Sequence, residues 1–335
     1  MIFGNFSLKN HNTFGLDVRA SGFCRPSSEN EVADCLLKEL PPGKPFMIMG
    51  GGSNLLFTRD YKGVIIQPAI GGIWYGKPSG DEIEVTVGAG VVWDDFVNQA
   101  VSVGLGGTEN LSLIPGHTGA AAVQNIGAYG TEVSEIIAAV KAIETSTGKR
   151  RIFTTQECKF SYRYSIFKDE LKGKYIITSV TFRLSRKPQL RLSYGNLSEE
   201  AEKKGKATLS SVREAVIGIR QSKLPNPAIT GNAGSFFKNP VVPAEKAQIL
   251  LKQHQSMPVY PAGENCTKVA AGWLIEQCGW KGYRSGDAGV HDKQALVLVN
   301  HGNATGNEIF ELSEKIRQSV AEKFGIDLER EVEII

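Results

Sequence analysis

The ten residues Gly231-Asn232-Ala233-Gly234-Ser235-Phe236-Phe237-Lys238-Asn239-Pro240 restrict this chain more than any other stretch. Gly231 and Gly234 admit backbone angles closed to other residues, which suits a loop bent tightly around a ligand. Ser235 follows Gly234 directly, so a sharp turn there sets its hydroxyl outward. Phe236 and Phe237 are placed to wall a site against water, while Lys238 and Asn239 add a cation and an amide. A plain glycine-rich turn between a helix and a strand has the same composition, and both readings stand. The stretch is not a Gly-x-Ser-x-Gly nucleophile elbow, because Phe237 occupies the position two after Ser235. A proton donor is as consistent with Ser235 as a nucleophile.

At 335 residues the chain has room for two or three domains. Its 41% hydrophobic and 22% charged content is that of an ordinary globular protein. A formal net charge of +3 is too small to argue for a nucleic-acid or bilayer partner. The cysteines (Cys24, Cys35, Cys158, Cys266, Cys278) are widely spaced and form no Cys-x-x-Cys pair, which opposes both a disulfide framework and a zinc site. The histidines include no His-Glu-x-x-His, and no metal is expected. Met1 to Gly15 lack a charged segment followed by an apolar run, so no signal peptide is expected. No apolar stretch approaches the ~20 residues of a membrane span. A reducing cytoplasm is the expected setting.

Ser28-Glu29-Asn30-Glu31 reads as a capping box that opens a helix with Val32, Cys35, Leu36 and Leu40 on one face. Phe46 to Met49 is a short apolar run, read as a buried strand, that feeds Gly50-Gly51-Gly52-Ser53-Asn54. Three successive glycines let backbone N–H groups converge on an anion, and Ser53 and Asn54 add side-chain donors. Neither the Walker nor the Rossmann spacing is present. A tight turn needs fewer glycines, so phosphate cradling is the reading preferred. Ile83 to Val87 alternates as a half-buried strand. A helix bearing Trp93, Phe96, Val97, Ala100 and Val101 follows, with Gly104 as its stop. Leu113 to Gly130 then forms a second loop of small residues, where Gln124, Asn125 and Tyr129 can hydrogen-bond the edges of a flat ligand. His117 within it invites a metal or covalent-flavin reading that lacks any partner ligand nearby. Two glycine-rich loops separated by strands and a helix suit a dinucleotide lying across a domain boundary.

Gly50 to Asn54 and Pro115 to Gly130 resemble the flavin-binding region of the UDP-N-acetylenolpyruvoylglucosamine reductases, a family of the vanillyl-alcohol-oxidase-like FAD proteins. The resemblance extends through Ser161 to Lys168, Lys223 to Pro240 and Glu329 to Val332, nearly the whole chain. It looks like the longer type, because Leu192 to Leu197 form a turn displaying Tyr194. The resemblance implies an α+β, multi-domain FAD-binding fold of the vanillyl-alcohol-oxidase/PCMH type with a C-terminal substrate-binding α+β domain. It places one FAD-binding subdomain at 1–70, with 325–335 returning to it, a second at 71–224, and the substrate domain at 225–324.

The implied reaction is reduction of UDP-N-acetylglucosamine enolpyruvate to UDP-N-acetylmuramate by NADPH, a step of peptidoglycan precursor synthesis serving cell-wall biogenesis, cell shape and division. FAD is held non-covalently and passes the hydride. The cofactor residues implied are Gly50, Gly51, Gly52, Ser53, Asn54, Pro115, Gly116, Gly119, Ala120, Gln124, Asn125, Gly127 and Ala128. An enol ether resists hydride, so its conjugated carboxylate must be polarised, and attack at C3 leaves enolate-like charge at C2. By the family pattern Arg163 and Glu331 stabilise that charge, Glu331 as a protonated donor, and Ser235 protonates C2. Read without the family, Arg163 is an exposed strand arginine and Glu331 a solvated edge residue. Tyr129, Tyr194, Lys223 and Asn239 grip the UDP, the lysine as a point charge on the diphosphate. The expected partners are small molecules alone, with no nucleic acid or membrane, and the protein is expected to be a monomer.

Two rival readings follow from the same residues. A flavin oxidase of this superfamily would react quickly with oxygen, but its many covalent members carry histidine or cysteine in the first glycine loop, where this chain has Ser53 and Asn54. A non-catalytic nucleotide-sugar sensor would need none of Arg163, Ser235 and Glu331. One departure is Glu333, where many relatives carry a basic residue.

Overall fold

The computed structural model describes residues 1–203 and 205–335. The chain divides into two compact units, each assembled from separated segments. The first comprises Met1–Phe6, Ala20–Gly51 and Lys62–Ser222, and the second comprises Ser7–Arg19, Gly52–Tyr61 and Lys223–Ile335.

In the first unit a four-stranded sheet runs in the order Phe3–Ser7, Arg19–Cys24, Tyr61–Ile66, Phe46–Ile48, the last two parallel. Ser28 caps the helix Glu29–Asp34 by accepting from the Glu31 N–H. The reciprocal arm of the expected box differs, for the Glu31 carboxylate accepts from the N–H and hydroxyl of Ser27 instead. A five-stranded antiparallel sheet has the order Arg150–Thr154, Ile137–Glu144, Tyr175–Ser185, Glu82–Gly88, Ile73–Tyr75. The helix Trp93–Ser102 lays its apolar stripe on that sheet. Trp93, Phe96 and Phe182 meet there in edge-to-face and stacked pairs. The Trp93 indole N–H, fully buried, donates to the Leu111 carbonyl at 2.8 Å, as a buried donor must.

Leu113 to Gly130, read from sequence as a loop, contains a helix at Thr118–Gln124. Ala120, Ala121 and Ala122 carry the highest helix propensity of any residue type, and Asn125 ends the run in the left-handed region at φ 47°. The charged stretch from Glu199 also begins in a helix, Leu197–Glu202, while Lys204 lies outside the described residues.

The second unit holds a four-stranded sheet in the order Gly231–Ser235, Val297–Asn300, Ala288–Val290, Arg284–Ser285, and a three-stranded sheet Val241–Pro243, Cys266–Val269, Val259–Pro261. The helix Gly306–Phe324 packs on Ala288–Val290 and Val297–Asn300. Thr305 and Glu308 close a complete capping box at its start, and Gly325 at φ 63° ends it. Its buried Ile309, Leu312, Ile316, Val320 and Phe324 recur at helical spacing, each stabilising by about 1.5–3 kcal/mol relative to exposure. The C-terminal strand is short: Glu333–Ile334 pairs in parallel with Leu55–Leu56.

Candidate active site

The two glycine-rich loops meet in the first unit. A Cβ on Gly50 would lie 2.7 Å from the Ala120 Cβ, and one on Gly51 would lie 3.0 Å from the Gly116 Cα. A side chain at Gly50 would collide with Ala120 and one at Gly51 would crowd the Gly116 backbone, so the glycines let the two loops approach closely. Gly119 is similarly pressed against Ala89. The Gly50 carbonyl accepts from Gln67 Nε2 at 2.7 Å, and a trans peptide then turns the Gly51 N–H the other way. In the second unit the Gly52 carbonyl accepts from the Thr13 N–H at 3.2 Å, with the same consequence for Ser53. With its neighbouring carbonyl held by Gln67, the Gly51 N–H faces away from that partner, the kind of backbone donor a phosphate-bearing cofactor uses, and the residues fit FAD. His117 stands beside Gly51, its Nδ1 shut from solvent without a partner among the described residues. Burial, helped by Arg25, holds its pKa below the usual histidine range. No group of residues with metal-ligand character occurs among the described residues.

Asn54 and Asn125, both read as cofactor contacts, have structural partners. The Asn125 side chain is fully buried and donates to Glu132 and Ser161 while accepting from the Ser134 N–H. It thereby ties together the loop carrying Gly127 and Ala128. Arg163 sits at φ 57° in a tight turn rather than on an exposed strand. Its Nη2 donates to the Gly127 carbonyl at 2.8 Å, which aims the guanidinium along the same loop. Tyr129 follows, its ring edge-to-face with Tyr194 at 5.7 Å. Burial raises the Tyr129 pKa, so its hydroxyl remains a donor. Tyr194 is 47% exposed, ready to be covered. Gln124 is half-buried at the last turn of the Thr118–Gln124 helix, and Ala120 lies in its first turns.

Sequence reasoning missed a charged cluster in the first unit. Asp94 takes Arg213 in a two-pronged pair at 2.7 and 2.9 Å and also accepts from the Leu113 N–H. Burial opposes the charge on Asp94, but the arginine outweighs it and holds the carboxyl below its usual range. Arg220 lies in the same cluster. A signal for it existed, because Arg220 falls eight and four residues after Val212 and Val216, in phase with the buried face.

In the second unit Ser235 ends the strand Gly231–Ser235 with its side chain exposed. Gly234, at φ 69°, supplies the bend before it. Phe236 and Phe237, fully buried and packed edge-to-face, anchor the chain directly after the exposed serine. The Phe236 carbonyl accepts from the Glu331 N–H at 2.9 Å, which sets Glu331 next to the serine strand. Asn54 Nδ2 donates to the Glu331 carbonyl at 3.0 Å. Lys238 pairs with Glu329, and the Asn239 side-chain oxygen accepts from the Ala271 N–H at 3.0 Å. Lys223 is exposed at the end of the helix Leu209–Lys223. The structure thus groups Ser235, Glu331, Asn54 and Asn239 on the second unit. Arg163, Tyr129, Tyr194, Pro115, Gly116 and their glycine loops belong to the first.

Two family models match separate stretches of the chain. Residues 20–154 match the model for the FAD binding domain, and residues 226–335 match that for the C-terminal domain of UDP-N-acetylenolpyruvoylglucosamine reductase. The UDP-N-acetylenolpyruvoylglucosamine reductase of Chromobacterium violaceum is 50% identical over 327 residues, 97% of this chain and 96% of that one. The Bacteroides fragilis protein of the same name is 48% identical over 98% of this chain and 99% of its own. In fold, the chain resembles the crystal structure of the Thermus caldophilus reductase with a TM-score of 0.69, covering 100% of this chain and 98% of that one at 24% identity. An FAD-binding α+β fold carrying this C-terminal domain, with near full-length identity to proteins of one name, makes the chain a flavin-dependent oxidoreductase belonging to the UDP-N-acetylenolpyruvoylglucosamine reductase family.

Proposed function

We propose that the chain reduces UDP-N-acetylglucosamine enolpyruvate to UDP-N-acetylmuramate in peptidoglycan precursor synthesis, with NADPH as reductant, acting as a cytoplasmic monomer. FAD, held without a covalent link by the glycine-rich loops, would supply the hydride chemistry that connects NADPH with C3 of the substrate. Arg163, its guanidinium oriented by the Gly127 carbonyl, binds the substrate carboxylate and draws electron density from the double bond. Arg163 and the Glu331 carboxyl together stabilise the enolate-like charge that builds toward C2. The Ser235 hydroxyl donates a proton to C2, which is basic enough to take it from a weak acid. Lys223 and the Asn239 amide hold the diphosphate, and Tyr129 and Tyr194 hold the nucleotide sugar.

The observation carrying this reading is the Phe236 carbonyl accepting from the Glu331 N–H, which keeps the serine and the glutamate on neighbouring backbone. A catalyst needs its acid and its charge-stabilising group fixed relative to each other. The test is direct. Purified protein should be yellow, should bleach with NADPH under nitrogen, and should regain colour when the enolpyruvyl substrate is added. Rapid recolouring by oxygen with none by the substrate would make it a flavin oxidase instead.

A further inference from the structure

We propose that Arg220 is a further substrate-binding residue that receives the diphosphate of the nucleotide sugar, an inference that rests on the substrate proposed above. Arg220 lies on the helix Leu209–Lys223, whose Val212, Val216 and Ile219 form a packed cluster with Leu197 and Tyr129. Its phase turns the arginine stem into that cluster. Its Nε is sealed from solvent and has no hydrogen-bond partner among the described residues. Burial pulls its pKa down, and Arg163, a second cation of the same unit, adds to the effect. Guanidinium does not lose its proton in a protein, so the charge stays. Asp94 attracts it, yet that carboxylate is already held by both prongs of Arg213 and by the Leu113 N–H.

A buried cation with an unsatisfied donor is costly until an anion reaches it. The proposed substrate brings two anionic groups, a carboxylate and a diphosphate. Arg163 is assigned the first. The second suits Arg220, because a planar guanidinium matches phosphate oxygens in pairs. Lys223 stands three residues further along the same helix, one turn away. Tyr129 links the cluster to the Tyr129–Tyr194 ring pair that displays the exposed face of Tyr194.

The test uses the holoenzyme and UDP, which carries the diphosphate and no enolpyruvyl carboxylate. Calorimetric titration should show Arg220→Gln binding UDP about 10- to 100-fold more weakly than wild type, the worth of a charged hydrogen bond. Arg220→Lys should fall between them. Without ligand, Arg220→Gln should melt at or above the wild-type temperature, because it removes a buried charge whose Nε has no hydrogen-bond partner among the described residues. A merely structural arginine would lower it. Wild-type UDP affinity in a folded Arg220→Gln protein overturns the inference. So does unchanged UDP affinity with slowed flavin reoxidation, which moves Arg220 to the carboxylate. Wild-type turnover of the enolpyruvyl substrate separates the two levels. If it is absent while Arg220→Gln still loses UDP, the catalytic reading falls and the diphosphate site stands.

Discussion

Asn54 lies in a loop whose glycines read as a cofactor cradle, yet its amide reaches across 277 positions of sequence to the Glu331 carbonyl. Its backbone carbonyl accepts from the Glu333 N–H at 3.0 Å as well. Asn54 therefore ties the end of the glycine loop to the C-terminal strand. Asn54→Ala should cost about 1 kcal/mol, the net worth of one hydrogen bond, and should slow flavin reoxidation by substrate more than it lowers FAD content. Flavin-to-protein absorbance and single-turnover kinetics measure the two separately, and loss of FAD with unchanged reoxidation would return Asn54 to the cofactor. Lys223→Ala should weaken substrate binding more than it slows chemistry, since a contact remote from the reacting carbons changes little in the transition state. Substrate Kd and the reoxidation rate decide it, and an unchanged Kd with a slowed chemical step would refute it. These residue identities were legible in the sequence because glycine, asparagine and serine announce local geometry. Their partners were not, because Asn125 to Ser161 and Asn54 to Glu331 are contacts that no local pattern encodes.

Among elements, helices declared themselves where caps and periodicity agreed. Thr305 and Glu308 close the box they spell, and Gly325 stops the helix in the left-handed region. The helix Thr118–Gln124 was hidden because small residues serve a close-approach loop and a helix equally well. The C-terminal strand offers the sharpest element-scale test. Val332 is 2% exposed, Glu333–Ile334 pairs with Leu55–Leu56, and the Ile335 carbonyl accepts from the N–H and hydroxyl of Thr58, both at 2.8 Å. Chain ends fray unless pairing or burial holds them, and here both do. Deleting Val332 to Ile335 should leave a folded, yellow, NADPH-reducible protein that cannot reduce the enolpyruvyl substrate. Glu331→Gln, which still donates a hydrogen bond, should be milder than Glu331→Ala. Wild-type turnover by the truncated protein would remove Glu331 from the mechanism.

At the scale of the molecule, composition and turn signals follow the chain, whereas compact units follow contacts. Ser7–Arg19 and Gly52–Tyr61 group with Lys223–Ile335 through bonds such as Asn232 N–H to the Thr13 carbonyl and Asn300 Nδ2 to the Phe14 carbonyl. No composition shift marks such a grouping. The whole protein should also carry a pH signature from His117. Burial sets its folded pKa below the ordinary histidine value of 6.5, so the unfolded chain binds the extra proton first. That stability is present above pH 6.5 and is lost as pH falls toward the folded pKa. His117→Asn should flatten the fall in melting temperature below pH 6.5, and an unaltered slope would contradict the burial argument. Ser235 is proposed to supply the proton to C2, and anaerobic stopped-flow spectroscopy of Ser235→Ala isolates that step. Bleaching of the flavin by NADPH should proceed at a near-normal rate, while reoxidation by the enolpyruvyl substrate should slow by roughly 10²–10⁴. Equal losses in both half-reactions, or none in the second, would contradict it.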